Sequence, residues 1–247
     1  MTPILSLAHH TLLDALRERL LRTLALFLAV LLLAARLVGP LALGEGERVT
    51  RDLGLGLLSL FGFLLVLLLG TRMVQKEVEG RTILLLLARP LRRGEFLFGK
   101  YLGLLAVVGT GMAGMLAILA AVLALSGYGV DGALALAGLY AFLELAIVSA
   151  LALLLAACSS PLLAAFLLLA LYVAGHLIHG LLEMARIVTQ PALAQALRAA
   201  FYLLPRLDLY GGAAPLGALP WAAAYALLYA TGLILLALIA FRRREFS

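Results

Sequence analysis

Six stretches of this chain are long and apolar enough to cross a lipid bilayer, and that requirement decides the fold class before any motif is weighed. They run over residues 23–43, 53–70, 101–125, 133–157, 162–182 and 219–241, each close to the roughly 20 residues that a hydrocarbon core of ~30 Å demands. In lipid every backbone N–H and C=O must be satisfied within the segment, which a helix achieves. The sequence therefore predicts an all-α, polytopic membrane protein, a single transmembrane domain over 1–247 with six transmembrane helices. Apolar residues make up 65% of the chain and charged residues 13%, with a mean hydropathy of +1.13, well outside the range of soluble domains. The first apolar stretch follows about twenty residues of amphipathic sequence rather than the short basic start of a signal peptide, so the N-terminus is expected to remain attached.

Orientation follows from the 19 basic residues. With both termini inside, the cytoplasmic side collects Arg17, Arg19, Arg22, seven Lys or Arg in 71–100, and Arg242, Arg243 and Arg244, thirteen in all. The opposite side keeps Arg48, Arg51, Arg186, Arg198 and Arg206, with Arg36 inside the first span. The positive-inside rule thus predicts a multi-pass protein of the cell inner (cytoplasmic) membrane with both termini cytoplasmic. The same asymmetry accounts for the basic pI of about 9.8. It points to anionic lipid head groups rather than nucleic acid, and no nucleic-acid-binding module is recognisable. The single cysteine, Cys158, excludes an intramolecular disulfide and reads as a small apolar filler at the inner end of the fourth span.

Between the spans, three segments stand out. Residues 1–22 place Leu5, Leu12, Leu13 and Leu16 among His9, His10, Asp14, Arg17 and Glu18, the pattern of an interfacial helix or of a plain extension of the first span. Residues 183–220 form an outer segment before the last span. Here Leu193, Leu197, Ala200 and Phe201 recur at helical spacing, as in an interfacial or re-entrant helix followed by a Pro- and Gly-rich return. The cytoplasmic segment 71–100 is charged but carries an oily centre at 83–87, too short to span. Glu77 and Glu79 precede Gly80, which can end one helix. Thr82 can cap a second, whose apolar face includes Leu85 and Leu86 and whose end is set by Pro90. Arg81, Arg89 and Arg92 flank it. Such a segment needs a partner groove to bury against.

Motifs that suggest chemistry weaken when read in full. Gly94 to Lys100 fits the phosphate-loop frame G-x-x-x-x-G-K, yet Tyr101 stands where the Ser or Thr for magnesium belongs and no strand precedes it. Lys100 reads instead as an inner-boundary anchor snorkelling toward lipid phosphate. The Gly127-Tyr128-Gly129 triplet lacks the Thr-Val of a potassium filter and reads as an outer turn. Asp131-Gly132-Ala133 begins like a membrane phosphoalcohol-transferase motif without its further aspartates. No nucleophile, base and orienting group assemble, so no catalytic residues and no resident cofactor are expected.

Ionisable residues at membrane depth carry more weight, since a charge there costs ~2.5–3.5 kcal/mol on insertion scales. Glu144 falls near the middle of the fourth span. His176, His179 and Glu183 follow at helical spacing near the outer end of the fifth, so that all three share one helical face. With Met112 and Met115 they would suit a metal relay, but no closed ligand set is present. A polar face at a dimer seam or cavity wall is the other reading.

The order of an N-terminal amphipathic helix, six spans and an inner segment running from Glu77-Val78-Glu79-Gly80-Arg81-Thr82-Ile83 through Leu87-Ala88-Arg89-Pro90-Leu91-Arg92-Arg93 to Gly99-Lys100 resembles the membrane subunit of ABC type-2 transporters. Phe201-Tyr202-Leu203-Leu204-Pro205-Arg206-Leu207-Asp208 is similar to a segment in the branch for multicopper-enzyme maturation, which includes the nitrous oxide reductase accessory permease. Where that branch often carries Asn after the Pro, this chain carries Arg206. The resemblance implies the permease subunit of an ATP-driven exporter or extruder, working as a homodimer or with a related permease. It implies that the inner segment docks as a coupling helix on a separate ATP-binding cassette subunit, which would hold the ATP and magnesium. It also leaves room for a periplasmic partner. The alternative implied by some relatives is a non-transporting scaffold or mechanotransmitter that helps assemble another protein.

Overall fold

The computed structural model describes residues 21–38, 45–73, 93–188, 190–211 and 215–243. Among them the chain is helical: α1 (Leu21–Val38), α2 (Gly46–Met73), α3 (Arg93–Leu125), α4 (Gly132–Cys158), α5 (Pro161–His176), α6 (Ile178–Ile187), α7 (Pro191–Leu203) and α8 (Leu219–Arg243), with short 3-10 turns at Leu207–Tyr210 and Leu216–Ala218. Four stretches are long and apolar enough to cross a membrane: Gly46–Thr71, Gly94–Leu125, Gly132–Cys158 and Leu216–Ala240. The apolar helices over Leu21–Ala35 and Pro161–His176 are shorter. Residues 1–20, and with them nearly all of the N-terminal amphipathic segment, lie outside the described residues.

α4 is the hub. It packs against α2, α3, α5 and α8, and being apolar nearly all round it is buried along most of its length, with Tyr140, Leu145 and Ile147 fully enclosed. Small residues let its neighbours approach, as membrane helices require when lipid competes equally for apolar side chains. On α2, Gly54, Gly62 and Gly70 recur every eight residues. A Cβ on each would run into Leu119, Leu145 or Ala152 respectively. α1 joins through Phe27, fully buried and edge-on to Phe61 at 5.7 Å. The outward faces stay apolar, with Leu33, Phe166, Trp221 and Leu228 exposed.

Three readings from sequence need correction. The fifth stretch, 162–182, is not one helix: α5 ends at His176, Leu177 takes φ −92° and ψ 13°, and α6 departs from Ile178. The break coincides with close packing, since Gly175 sits where a Cβ would meet Leu207 and the Pro205 carbonyl. Beyond it the exposed Glu183, Met184 and Arg186 draw α6 to the surface. Cys158 is exposed at the end of α4 rather than a buried filler. Lys100 does not reach outward: it is 6% exposed, its Nζ 5.7 Å above the Phe96 ring.

The described residues of segment 183–220 fold back onto the bundle. α6 and α7 pack together, and the turn Leu207–Tyr210 is plugged into the bundle, Leu207 and Tyr210 both buried. The Tyr210 hydroxyl donates to Ala222 O at 2.8 Å, Tyr140 to Pro215 O at 3.0 Å, and the Arg206 N–H to the Tyr225 hydroxyl at 3.0 Å.

A second tie closes one end of the bundle, joining α2, α3 and α4. Gly127, at φ 78°, turns the chain after α3 in a conformation that favours glycine, and Asp131 caps α4 through the Leu134 N–H. Arg51 on α2 donates to Asp131 at 3.1 Å and to the Gly129 carbonyl at 3.1 Å. Desolvation pushes the Asp131 carboxyl up, but the hydrogen bonds from Arg51 and Leu134 outweigh it and hold its pKa below the ordinary value. A depressed carboxylate pKa gives stability that is full above the ordinary aspartate range and lost as pH falls through the lowered value. Asp131→Asn is therefore expected to lower the melting temperature at neutral pH and to flatten its decline as pH falls below the ordinary aspartate range. Parallel melting curves of parent and variant down that range would remove the clasp as a source of stability.

Candidate functional site

The break after α5 and the re-entry of the outer segment leave a cavity of about 800 Å³ between α2, α4, α5 and the Leu207–Tyr210 turn. Its walls are apolar, with Leu55, Leu60, Leu136 and Ala141. Its rim carries Arg48, Arg51 and Asp52, and deeper in it meets Glu144, Tyr172 and His176. Each of these three is placed by its helix. Glu144 stands mid-way along the most enclosed helix, while Tyr172 and His176, four residues apart, share one face of the last turn of α5.

Glu144 is 2% exposed, and its Oε1 lies 3.4 Å from His176 Nε2. No hydrogen bond satisfies that oxygen among the described residues, while Tyr172 is the carboxyl's hydroxyl neighbour. The histidine is oriented from behind, its Nδ1 3.1 Å from the Tyr172 carbonyl. A carbonyl oxygen only accepts, so Nδ1 carries the proton, and in the neutral ring Nε2 is a bare acceptor. The geometry sets Glu144 Oε1 and His176 Nε2 3.4 Å apart, a pair that a proton or another cation would bridge. Stacking fixes the floor: Phe63 on Tyr172 with centroids 4.0 Å apart, and Tyr172 against His176 at 4.5 Å. A buried carboxyl in lipid surroundings is costly without a donor or a positive charge.

Of the residues read as one polar face, the structure joins Glu144 to His176 and separates the rest. His179 lies beyond the break, in α6, where its side chain is outside the described ones. Glu183 is exposed and accepts from Arg186 at 2.9 Å. Met112 and Met115 are buried in the core and do not line the cavity. Sequence reasoning passed over Tyr172, although its spacing of four from His176 was visible. It also missed the Arg51 clasp, which joins residues 80 apart. The proposed coupling residues Glu77, Glu79, Gly80, Arg81, Thr82, Leu85, Leu86, Arg89, Pro90 and Arg92 all lie outside the described residues. The G-x-x-x-x-G-K frame is described and falls within helix α3, so the Gly99 and Lys100 amides sit in a helical ladder rather than in a phosphate-cradling loop.

Comparison with known proteins accords with the resemblance drawn from sequence. The family described as "ABC-2 family transporter protein" matches residues 5–246. The chain is 38% identical over 132 residues to the "Probable ABC transporter permease protein NosY" of Pseudomonas aeruginosa, covering 49% of this chain and 48% of that protein. It is 36% identical over 107 residues to the protein of the same name from Stutzerimonas stutzeri, covering 42% of this chain and 39% of that one. These alignments span about half the length of the relatives or less. The family match over nearly the whole length, on a helical bundle with several membrane-crossing helices, carries the assignment: the chain belongs to the ABC-2 transporter family, as a multi-pass membrane subunit.

Proposed function

We propose that this chain is the permease half of an ATP-driven exporter or extruder in the cytoplasmic membrane, pairing with a second permease and coupling to separate ATP-binding subunits. The reading has six spans, counting the shorter α1 and α5 with the four longer helices, and both termini on the cytoplasmic side, where thirteen of the 19 basic residues gather. Segment 71–100 then faces the cytoplasm. Its Glu77 to Arg92 stretch supplies the coupling helix, with Leu85 and Leu86 as apolar anchors and Glu79 and Arg89 as charges that fix register. ATP and magnesium belong to the partner.

The observation that favours transport over a purely mechanical scaffold is the cavity, about 800 Å³ with a polar floor at Glu144, His176 and Tyr172. A scaffold needs only a sealed apolar bundle, whereas a path for cargo needs a wall with polar groups. The test is to solubilise the tagged chain from its native membranes and identify its companions. An ATP-binding cassette subunit is expected in stoichiometric amount, with cargo-dependent stimulation of its ATPase. Recovery of the chain without any ATP-binding subunit would overturn the reading. A stoichiometric complex whose ATPase responds only to an outer protein partner would favour the scaffold.

A further inference from the structure

We propose that the cavity between α2, α4 and α5 binds an amphipathic amine, its ammonium held between Glu144 Oε1 and His176 Nε2 and its apolar body lying along Leu55, Leu60 and Ala141. Two independent features converge on this chemistry. The first is the pair of facing acceptors. Glu144 is 2% exposed with Oε1 unpartnered among the described residues, and the Tyr172 carbonyl holds His176 with its bare nitrogen toward that oxygen. A primary ammonium has three donors and no acceptor, so it can satisfy both groups at once and supply the charge the buried carboxylate lacks. An alcohol offers one donor, and a carboxylate would be repelled. A metal ion would find only these two ligands and the Tyr172 hydroxyl, short of the closed set that divalent metals take.

The second feature is the wall. Apolar side chains from α2 and α4 enclose a volume in the range of small-molecule sites, with the polar groups gathered at one end. As a cargo site this rests on the transport reading. As a binding site it stands alone, because the chain can be tested without any ATP-binding subunit.

The full chain, in nanodiscs of zwitterionic phosphatidylcholine, is titrated with radiolabelled octylamine, octanol and octanoate, and partition into empty nanodiscs is subtracted. At neutral pH octylamine is cationic. A saturable class of octylamine sites is expected, with octanol and octanoate at least about tenfold weaker, and Glu144→Gln should weaken octylamine about tenfold or more. Gly56→Leu decides the case if the Glu144 variant fails to fold. A Cβ at Gly56, on the cavity lining, meets no atom within 4 Å, so the larger side chain narrows the cavity without disturbing the bundle and should weaken octylamine binding severalfold. Equal binding of octanol and octylamine would overturn the proposal, as would parent-like affinity in Gly56→Leu. So would stoichiometric zinc, bound in place of the amine and lost in Glu144→Gln.

Discussion

Leu85→Asp or Leu86→Asp is expected to release the ATP-binding subunit while leaving the bundle in the membrane. Each leucine, if fully buried in a partner groove, contributes apolar contact of ~1.5–3 kcal/mol, and placing a carboxylate there adds a desolvation cost. Since ~1.4 kcal/mol is tenfold in affinity, each variant should lower recovery of the ATP-binding subunit at least tenfold and remove stimulated ATPase activity in proportion. Glu79→Lys and Arg89→Glu act through charge complementarity, so their effect should fade as salt is raised. Full recovery of the partner in all four variants, with normal ATPase stimulation, would move the coupling contact elsewhere on the chain.

Gly70→Leu should prevent the bundle from closing. A Cβ at this position would lie 2.9 Å from Ala152 Cβ and 3.2 Å from a Leu104 methyl. The first atom is fixed to the α4 backbone and cannot swing away, as a leucine tip could. Overpacking of this kind costs ~1–3 kcal/mol, and a full leucine side chain between two helices in close contact belongs at the upper end. The measurement is the yield of monodisperse protein and its melting temperature in detergent, with Gly56→Leu on the same helix as control. Equal loss in both variants would mean that helix propensity or hydrophobicity, not the α2–α4 approach, sets the outcome.

What the sequence made legible was set by lipid. Apolar length alone locates α2, α3, α4 and α8 to within a few residues, except where α2 and α3 run past the apolar run into charged sequence, at Gly46 and Arg93. Hydrophobicity marks where a helix meets lipid, not where its ladder of hydrogen bonds stops. The break at Leu177 was illegible for a related reason. Residues 162–182 hold no proline and are apolar apart from His176 and His179, and the break coincides with the close approach of Leu207 to Gly175, from a turn more than thirty residues later. Glu144 and His176 both stand out in the sequence because ionisable groups at membrane depth need an explanation. Their partnership does not, since the spacing puts His176 on a face with His179 and Glu183 that exists only if the helix continues. The α7 helix was foreseen from the spacing of Leu193, Leu197 and Phe201. The burial of Leu207 and Tyr210 was not, because a Pro- and Gly-rich return gives no periodicity from which depth can be read.

Gly94 to Lys100 mimics a nucleotide site in letters, while the structure places it in a helix entering the bundle. The division of labour between a membrane half without a nucleotide site and a separate motor is the centre of the account. Photoaffinity labelling with azido-ATP, on the complex purified from native membranes and on this chain alone, tests it most directly. All specific label is expected on the ATP-binding subunit, with none on this chain in either preparation and no change in Lys100→Arg. Saturable, ATP-competed labelling of the isolated chain would contradict it.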